Sequence, residues 1–171
     1  MLRPDSPRWL ELYAGGGDAA SIPRWLYRLL DSPDDFGAFE QAWWMLCSDE
    51  ITWSAGFAAA PVLVEAARRA QPANRAQYVC FLGSLVMYRV SHEEVGAPGE
   101  CPPDLEAEFQ EAVAAASEMA IALLPLANSE PEVRHLLAAI AAFKGFSGLA
   151  RGIVDLPHDK RQEPPVEDIN F

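Results

Sequence analysis

Apolar side chains recur at steps of three and four residues along most of the chain, and turn-forming residues punctuate them. Ile22, Trp25, Leu26, Leu29 and Leu30 make one such stripe, and Phe36, Phe39, Trp43 and Leu46 make the next. This spacing gathers each set on one side of an α-helix and scatters it over both faces of a β-strand. A chain patterned this way must bury helix faces against helix faces. No stretch alternates as a half-buried strand would.

The punctuation sets the boundaries. Ser21 is placed to cap a first helix with Pro23 in its opening turn, and Asp31-Ser32-Pro33 stops it. A second helix runs from about 35 to 47, with Cys47 beside its stripe. The short connection predicts antiparallel packing of the two. Residues 53–71 form a helix that Pro61 is expected to break or kink, with Phe57, Ala60, Val64 and Ala67 on its inner face. Residues 73–90 carry Tyr78, Val79, Phe81, Leu82, Leu85, Val86 and Tyr88, apolar over most of the circumference, which predicts a central helix. Gly83 within it predicts a close approach by another helix.

A loop over 91–103 holds Gly96, Pro98, Gly99, Pro102 and Pro103. Asp104 is placed to cap a long helix whose stripe runs through Leu105, Phe109, Ala112, Val113, Ala116, Met119, Ala120, Leu123 and Leu124, ending near Asn128. Ser129 or Glu130 opens another, with Pro131 in its first turn and Val133, Leu136, Leu137, Ile140 and Phe143 as its stripe. A last amphipathic piece carries Phe146, Leu149, Ile153 and Leu156.

The expected architecture is all-α: stacked antiparallel helical hairpins, about six to eight helices. Three segments follow: a flexible 1–20, a single helical-repeat domain over 21–156, and a disordered or draped Pro-rich tail over 157–171. The run Gly15-Gly16-Gly17 has no preceding strand and no following Gly-Lys-Ser/Thr, so it reads as a flexible joint and not as a phosphate loop.

The 171 residues carry 25 acidic and 13 basic side chains, a net charge of −12. That balance repels phosphate backbones, and no basic stripe offsets it, so nucleic acid is not an expected partner. An acidic surface instead suits a basic protein partner drawn in at long range. Cys47, Cys80 and Cys101 are an odd, widely spaced set with no C-x-x-C, which fits a reducing compartment and suggests neither zinc nor a dithiol. The first 17 residues show no signal-peptide core. The Ala-rich run 112–127 comes nearest to a membrane span but is interrupted by Ser117, Glu118 and Pro125. A cytoplasmic protein, with no membrane partner and no cofactor, is expected.

Residues 61–83 align with 120–142 at an offset near 59. Each is an apolar helix, a turn with Pro, an Arg early in the next helix, and a second apolar helix. This resembles the HEAT/armadillo-like helical-repeat class, most closely at Pro131-Glu132-Val133-Arg134 and the Ala-rich run behind it. The offset exceeds the ordinary HEAT period of roughly 40–47 residues. Asn74 also stands where the first unit would need a valine. An irregular array or a plain helical bundle stays open. Residues 42–53, leading into 54–61, are similar to a segment of bacterial HEAT-like proteins without settled activity. The likeness implies a bacterial binding protein, the toxin-immunity sort among them. A stacked array of this kind presents a broad face to macromolecules.

Catalytic patterns are weak. His92, His135 and His158 show no metal-ligand spacing, and His92-Glu93-Glu94 lacks the second His of a zinc-protease helix. No Gly-x-Ser-x-Gly elbow exists. The pairs Asp34-Asp35, Asp49-Glu50, Glu93-Glu94 and Glu106/Glu108 read as solvated faces, since acid–base chemistry needs carboxylates converging across a cleft. Trp25 and Trp43 lie on core stripes. Trp44 is off the line of its helix and Trp53 ends an acidic loop, so Trp44, Asp49, Glu50 and Trp53 are the candidate binding residues, aromatic anchors beside charge. The expected function is a non-enzymatic acidic protein-binding module, an immunity protein occluding a cognate toxin among the possibilities. An enzyme of lyase or repair type on a helical scaffold, or a self-associating structural subunit, are the alternatives.

Overall fold

A computed structural model describes residues 2, 3, 5–48, 50–89 and 100–156 of the chain. The expected tail over 157–171, the loop residues 90–99 with His92, Glu93 and Glu94, and Asp49 lie outside the described residues.

The body is all-α. Helices α1 (Ile22–Asp31), α2 (Phe36–Leu46), α3 (Ser54–Arg69), α4 (Pro72–Met87), α5 (Glu106–Leu123), α6 (Glu130–Phe143) and α7 (Ser147–Val154) follow in chain order. Two-residue ladders supply the only β-structure among the described residues: β1 (Tyr13–Ala14) with β2 (Gly17–Asp18), and β3 (Cys47–Ser48) with β4 (Ile51–Thr52), both antiparallel.

The first hairpin closes as the sequence dictates. Ile22, Leu26 and Leu29 are fully buried on one side of α1. Asp35 ends the following turn with both oxygens engaged: Oδ1 accepts from the Ala38 N–H at 3.0 Å, capping α2, and Oδ2 accepts from Arg28 Nε at 2.6 Å, tying α2 back to α1. These two bonds hold the Asp35 carboxyl below its usual range. Ser21 stands at the start of α1 without a side-chain cap bond, whereas Ser129 Oγ does accept from the Glu132 N–H and caps α6.

Within the segment expected to be flexible, residues 7–19 pack onto the helical body. A 3₁₀ helix, Pro7–Glu11, carries Trp9 into the core at 2% exposure, and the indole Nε1 donates to the Arg3 carbonyl at 3.0 Å. Leu12, Ala14 and Ala19 are buried with it. Gly15 and Gly16 make the turn between β1 and β2, and Gly16 and Gly17, the latter opening β2, have φ of +95° and +135°. The glycine run is therefore a hairpin tip and not a joint.

Helix α3 is continuous through Pro61, so the expected break is absent. Alanines 55, 58, 59, 60, 66 and 67 together with Phe57, Val62, Leu63 and Val64 are buried, leaving only the side of Pro61, Glu65, Arg68 and Arg69 open, and that packing offsets the roughly 3 kcal/mol an interior proline costs. The core therefore has two inner helices, α3 and α4, where the sequence marks only α4. Alanine carries no strong pattern, which hid the second. Phe57 meets Phe109 edge-on at 4.9 Å. Arg89 lies over both rings and forks onto Glu106 at 3.1 and 2.9 Å.

Asp104 does not cap α5. It pairs instead with Arg8 at 3.1 and 3.0 Å, binding the N-terminal segment to the start of α5, and Leu105 takes the cap position. The stretch Glu106–Leu126 is long and apolar enough to cross a membrane by length and composition. Here its Phe109, Ala112, Val113, Ala116 and Ala120 side is buried, and α5 packs against α3, α4 and α6 as a core helix does. After α6 the chain turns at Gly145 (φ +85°), with Phe146 N–H reaching the Ala141 carbonyl and Gly145 N–H the Ala142 carbonyl, a Schellman closure. Helix α7 then turns Ala150 inward and leaves Leu149 exposed, as are Phe146 and Leu156 just beyond its two ends.

Helices α4 and α6 meet at Gly83. A Cβ built there would lie 2.5 Å from Ala139 Cβ and 2.7 Å from its Cα, so only glycine fits without displacing backbone. Gly152 on α7 has nothing within 4 Å. The same substitution should therefore act in opposite directions. Gly83→Ala is expected to cost about 1–3 kcal/mol by overpacking, while Gly152→Ala gains up to about 1 kcal/mol of helix propensity. Urea midpoints of the two variants check this.

Candidate interaction groove

Helix α2 runs out into the tight hairpin β3–β4, which needs a left-handed residue at its tip, and Glu50 supplies it at φ +59°. The hairpin is stitched to the end of α4: Thr52 Oγ1 donates to the Leu85 carbonyl at 2.8 Å, and the Thr52 N–H reaches the Tyr88 carbonyl at 3.2 Å. On its other side the Gly15 N–H donates to the Met45 carbonyl at 2.7 Å, and a Cβ on Gly15 would sit 2.8 Å from the Trp44 carbonyl.

These contacts separate the two candidate tryptophans. Trp53 is half-buried, and its Nε1 donates to Ser48 Oγ at 3.0 Å across the hairpin. Trp44 is 57% exposed, its ring lying beside Gly16. Trp44 and Glu50 line a common groove; Trp53 is not among its lining residues, and Asp49 lies outside the described residues.

The groove lies over α4, between α2 and α6. Phe39 meets Tyr78 at 5.0 Å and Phe81 at 5.7 Å, and Trp43 stacks on Phe81 at 4.5 Å, so α2 leans on one side of α4. Helix α6 packs on the other side through Ala139 on Gly83. The space between them is a cleft of about 690 Å³ that also touches the β3–β4 hairpin and Val154. A second hollow of about 480 Å³ extends it toward the start of α4 and shares Phe36, Phe39, Trp43, Cys80 and His135 with the first. Trp43, expected in the core, is thus half-buried and forms part of a wall.

The groove's charge is one-sided. Glu40, Glu50 and Glu132 line it, and among the described residues no lysine or arginine does. His135 is exposed, and its Nδ1 lies 2.7 Å from the Pro131 carbonyl. A carbonyl only accepts, so Nδ1 is the donor in this contact. Among the described residues no group of three His, Cys, Asp or Glu side chains could hold a metal ion.

Residue-by-residue reading of the sequence missed Cys80, Ser84, Met87 and His135 as groove residues. A signal existed: Ala73, Gln77, Cys80, Ser84 and Met87 recur at steps of three and four on a helix otherwise filled with large apolar groups.

The sequence matches no protein-family model, no curated protein and no solved structure. The HEAT/armadillo-like resemblance therefore stands on the quoted residues alone.

Burial pushes the Cys47 thiol up to about 11, against a weaker opposing bond from Thr52. Burial, reinforced by Glu132, pushes Cys80 up to about 12. Cys101 rises to about 12 through burial and the neighbouring Glu106. Each folded-state value lies above the ordinary 9.0, so the folded state holds these protons more tightly than the unfolded chain does. Stability should be level through neutral pH and fall as pH rises above 9, as followed by circular dichroism. Ellman's reagent at pH 8 should react slowly with the native protein and quickly with the unfolded one.

The two tryptophans should also differ in what they hold. Trp53→Ala is expected to cost about 2–3 kcal/mol through its lost packing and the lost bond to Ser48, and Trp44→Ala less than about 1 kcal/mol. Denaturant unfolding of both variants separates them.

Proposed function

We propose that this chain is a non-enzymatic, acidic protein-binding module, built on a helical array that we read as HEAT-like and acting in a reducing compartment such as the cytoplasm. The observation that carries the reading is the open groove between α2 and α6, with the exposed Trp44 at its edge and Glu40 and Glu50 beside it. A large aromatic surface next to negative charge is the composition of an interface hot spot, where burial on binding adds to electrostatic steering. The −12 net charge extends that field over the whole molecule and favours a basic partner. An immunity protein that occludes a cationic toxin is one protein of this kind.

Binding is favoured over catalysis by the chemistry of the lining. The groove thiols are held protonated at neutral pH, which makes them poor nucleophiles. His135, with its Nδ1 proton held by a carbonyl, has no described carboxylate hydrogen-bonded to it as a catalytic triad would require.

The test is an affinity pulldown with the tagged protein from its source organism at moderate salt, read by mass spectrometry. A single stoichiometric basic protein, lost as salt rises, is the expected result. Trp44→Ala should weaken its capture by about tenfold or more while leaving the melting temperature within about 2 °C. Turnover of a substrate, abolished by a point substitution that leaves the fold intact, would sink the reading.

A further inference from the structure

We propose that the groove over α4 receives one α-helix of the partner, amphipathic and basic, laid along α4 between α2 and α6. The inference rests on the protein-binding reading and names the chemistry of its ligand. The floor of the groove is a straight row on a single helix, from Ala73 through Gln77, Cys80 and Ser84 to Met87. At 1.5 Å per residue that row is about 21 Å long, the length of a helix of about 14 residues. Its middle is made of small side chains, which lets a second helix approach to an interaxial distance of about 8–10 Å.

The walls decide between a helix and an extended peptide. The long walls and the floor are helices whose internal peptide groups are already paired, and the β3–β4 hairpin at one end has strands of only two residues, too short to template an extended segment along the groove. An extended segment would leave its own N–H and C=O groups unpaired against Phe39, Trp43 and Met87. A helix arrives with those groups satisfied and needs only an apolar stripe at three- and four-residue steps. The rim then sets the charge. Glu40 and Glu50 on one side and Glu132 on the other face whatever flanks that stripe, with no described basic side chain between them. Lysine or arginine on the partner helix's flanks is what complements this rim.

The test uses the full chain and two synthetic helices of about 14 residues. Both carry leucine along one face, and the remaining positions are lysine in one and glutamate in the other. Titration at about 0.15 M salt is followed by calorimetry and tryptophan fluorescence. The leucine–lysine helix should bind one to one and the leucine–glutamate helix at least about tenfold more weakly. Gln77→Trp, which changes an exposed residue and fills the trough, should lower affinity for the lysine helix by about tenfold or more, as should the double variant Glu40→Lys/Glu50→Lys. Ser84→Trp is a second filling variant, and circular dichroism checks the fold of all three.

Equal binding of the two helices, no binding of the lysine helix, or undiminished binding by folded Gln77→Trp would overturn the proposal. A native partner retained at full strength by Gln77→Trp and by Glu40→Lys/Glu50→Lys would also overturn it, while leaving the protein-binding reading in place.

Discussion

Helix α4 packs at once against α3, α5, α6 and α7, and through Tyr78 and Phe81 it also carries the rings of α2. A helix surrounded this way can be apolar over most of its circumference, and it buries surface against each of these neighbours. The close approach at Gly83 fixes the place of α6 on it, since a side chain there would have to push Ala139 away. The aromatic contacts fix α2 on the other flank. The groove is the gap left when two helices are held on one floor without closing over it.

The loop that begins the groove is held by the same helix. Thr52 is fully buried and spends both its hydroxyl and its amide on carbonyls at the end of α4, where the last turn of a helix leaves acceptors unpaired. Tyr88 sits at that end too, with Arg151 of α7 over its ring at 5.3 Å. Hairpin, α4 terminus and α7 are therefore one packed unit. Arg134, nearly buried, binds Glu130 and the Leu156 carbonyl, so the end of the described chain is drawn against α6 by a charged group that has its partners. Trp44 projects from this rigid surround, and a binding side chain on a fixed base loses less entropy when it is engaged.

Part of the candidate site was legible in the residues. Trp44 is off the stripe of α2 and is exposed in the structure, because helical periodicity places a residue next to a core position on a different side. Trp53 was harder to place for a related reason. It lies in a loop, where no periodicity assigns a side, and the hairpin turned it onto Ser48 and Gly15. The packing of residues 7–19 was not legible, because proline and glycine mark irregular backbone without saying whether it is packed. Trp9 is in the core through a 3₁₀ turn, whose three-residue repeat is too short to leave a pattern.

What the sequence determined by itself is the set of helices and most of the inner face of α1, because the 3.6-residue repeat and the turn residues are local properties. Only the tertiary structure decided that α3 runs unbroken through Pro61 and that α7 turns Phe146 and Leu149 to solvent. It alone decided that α2 and α6 stand apart over α4. Each of these depends on which faces meet across large sequence separations, and a one-dimensional pattern of apolar residues can say that a face is buried without saying against what.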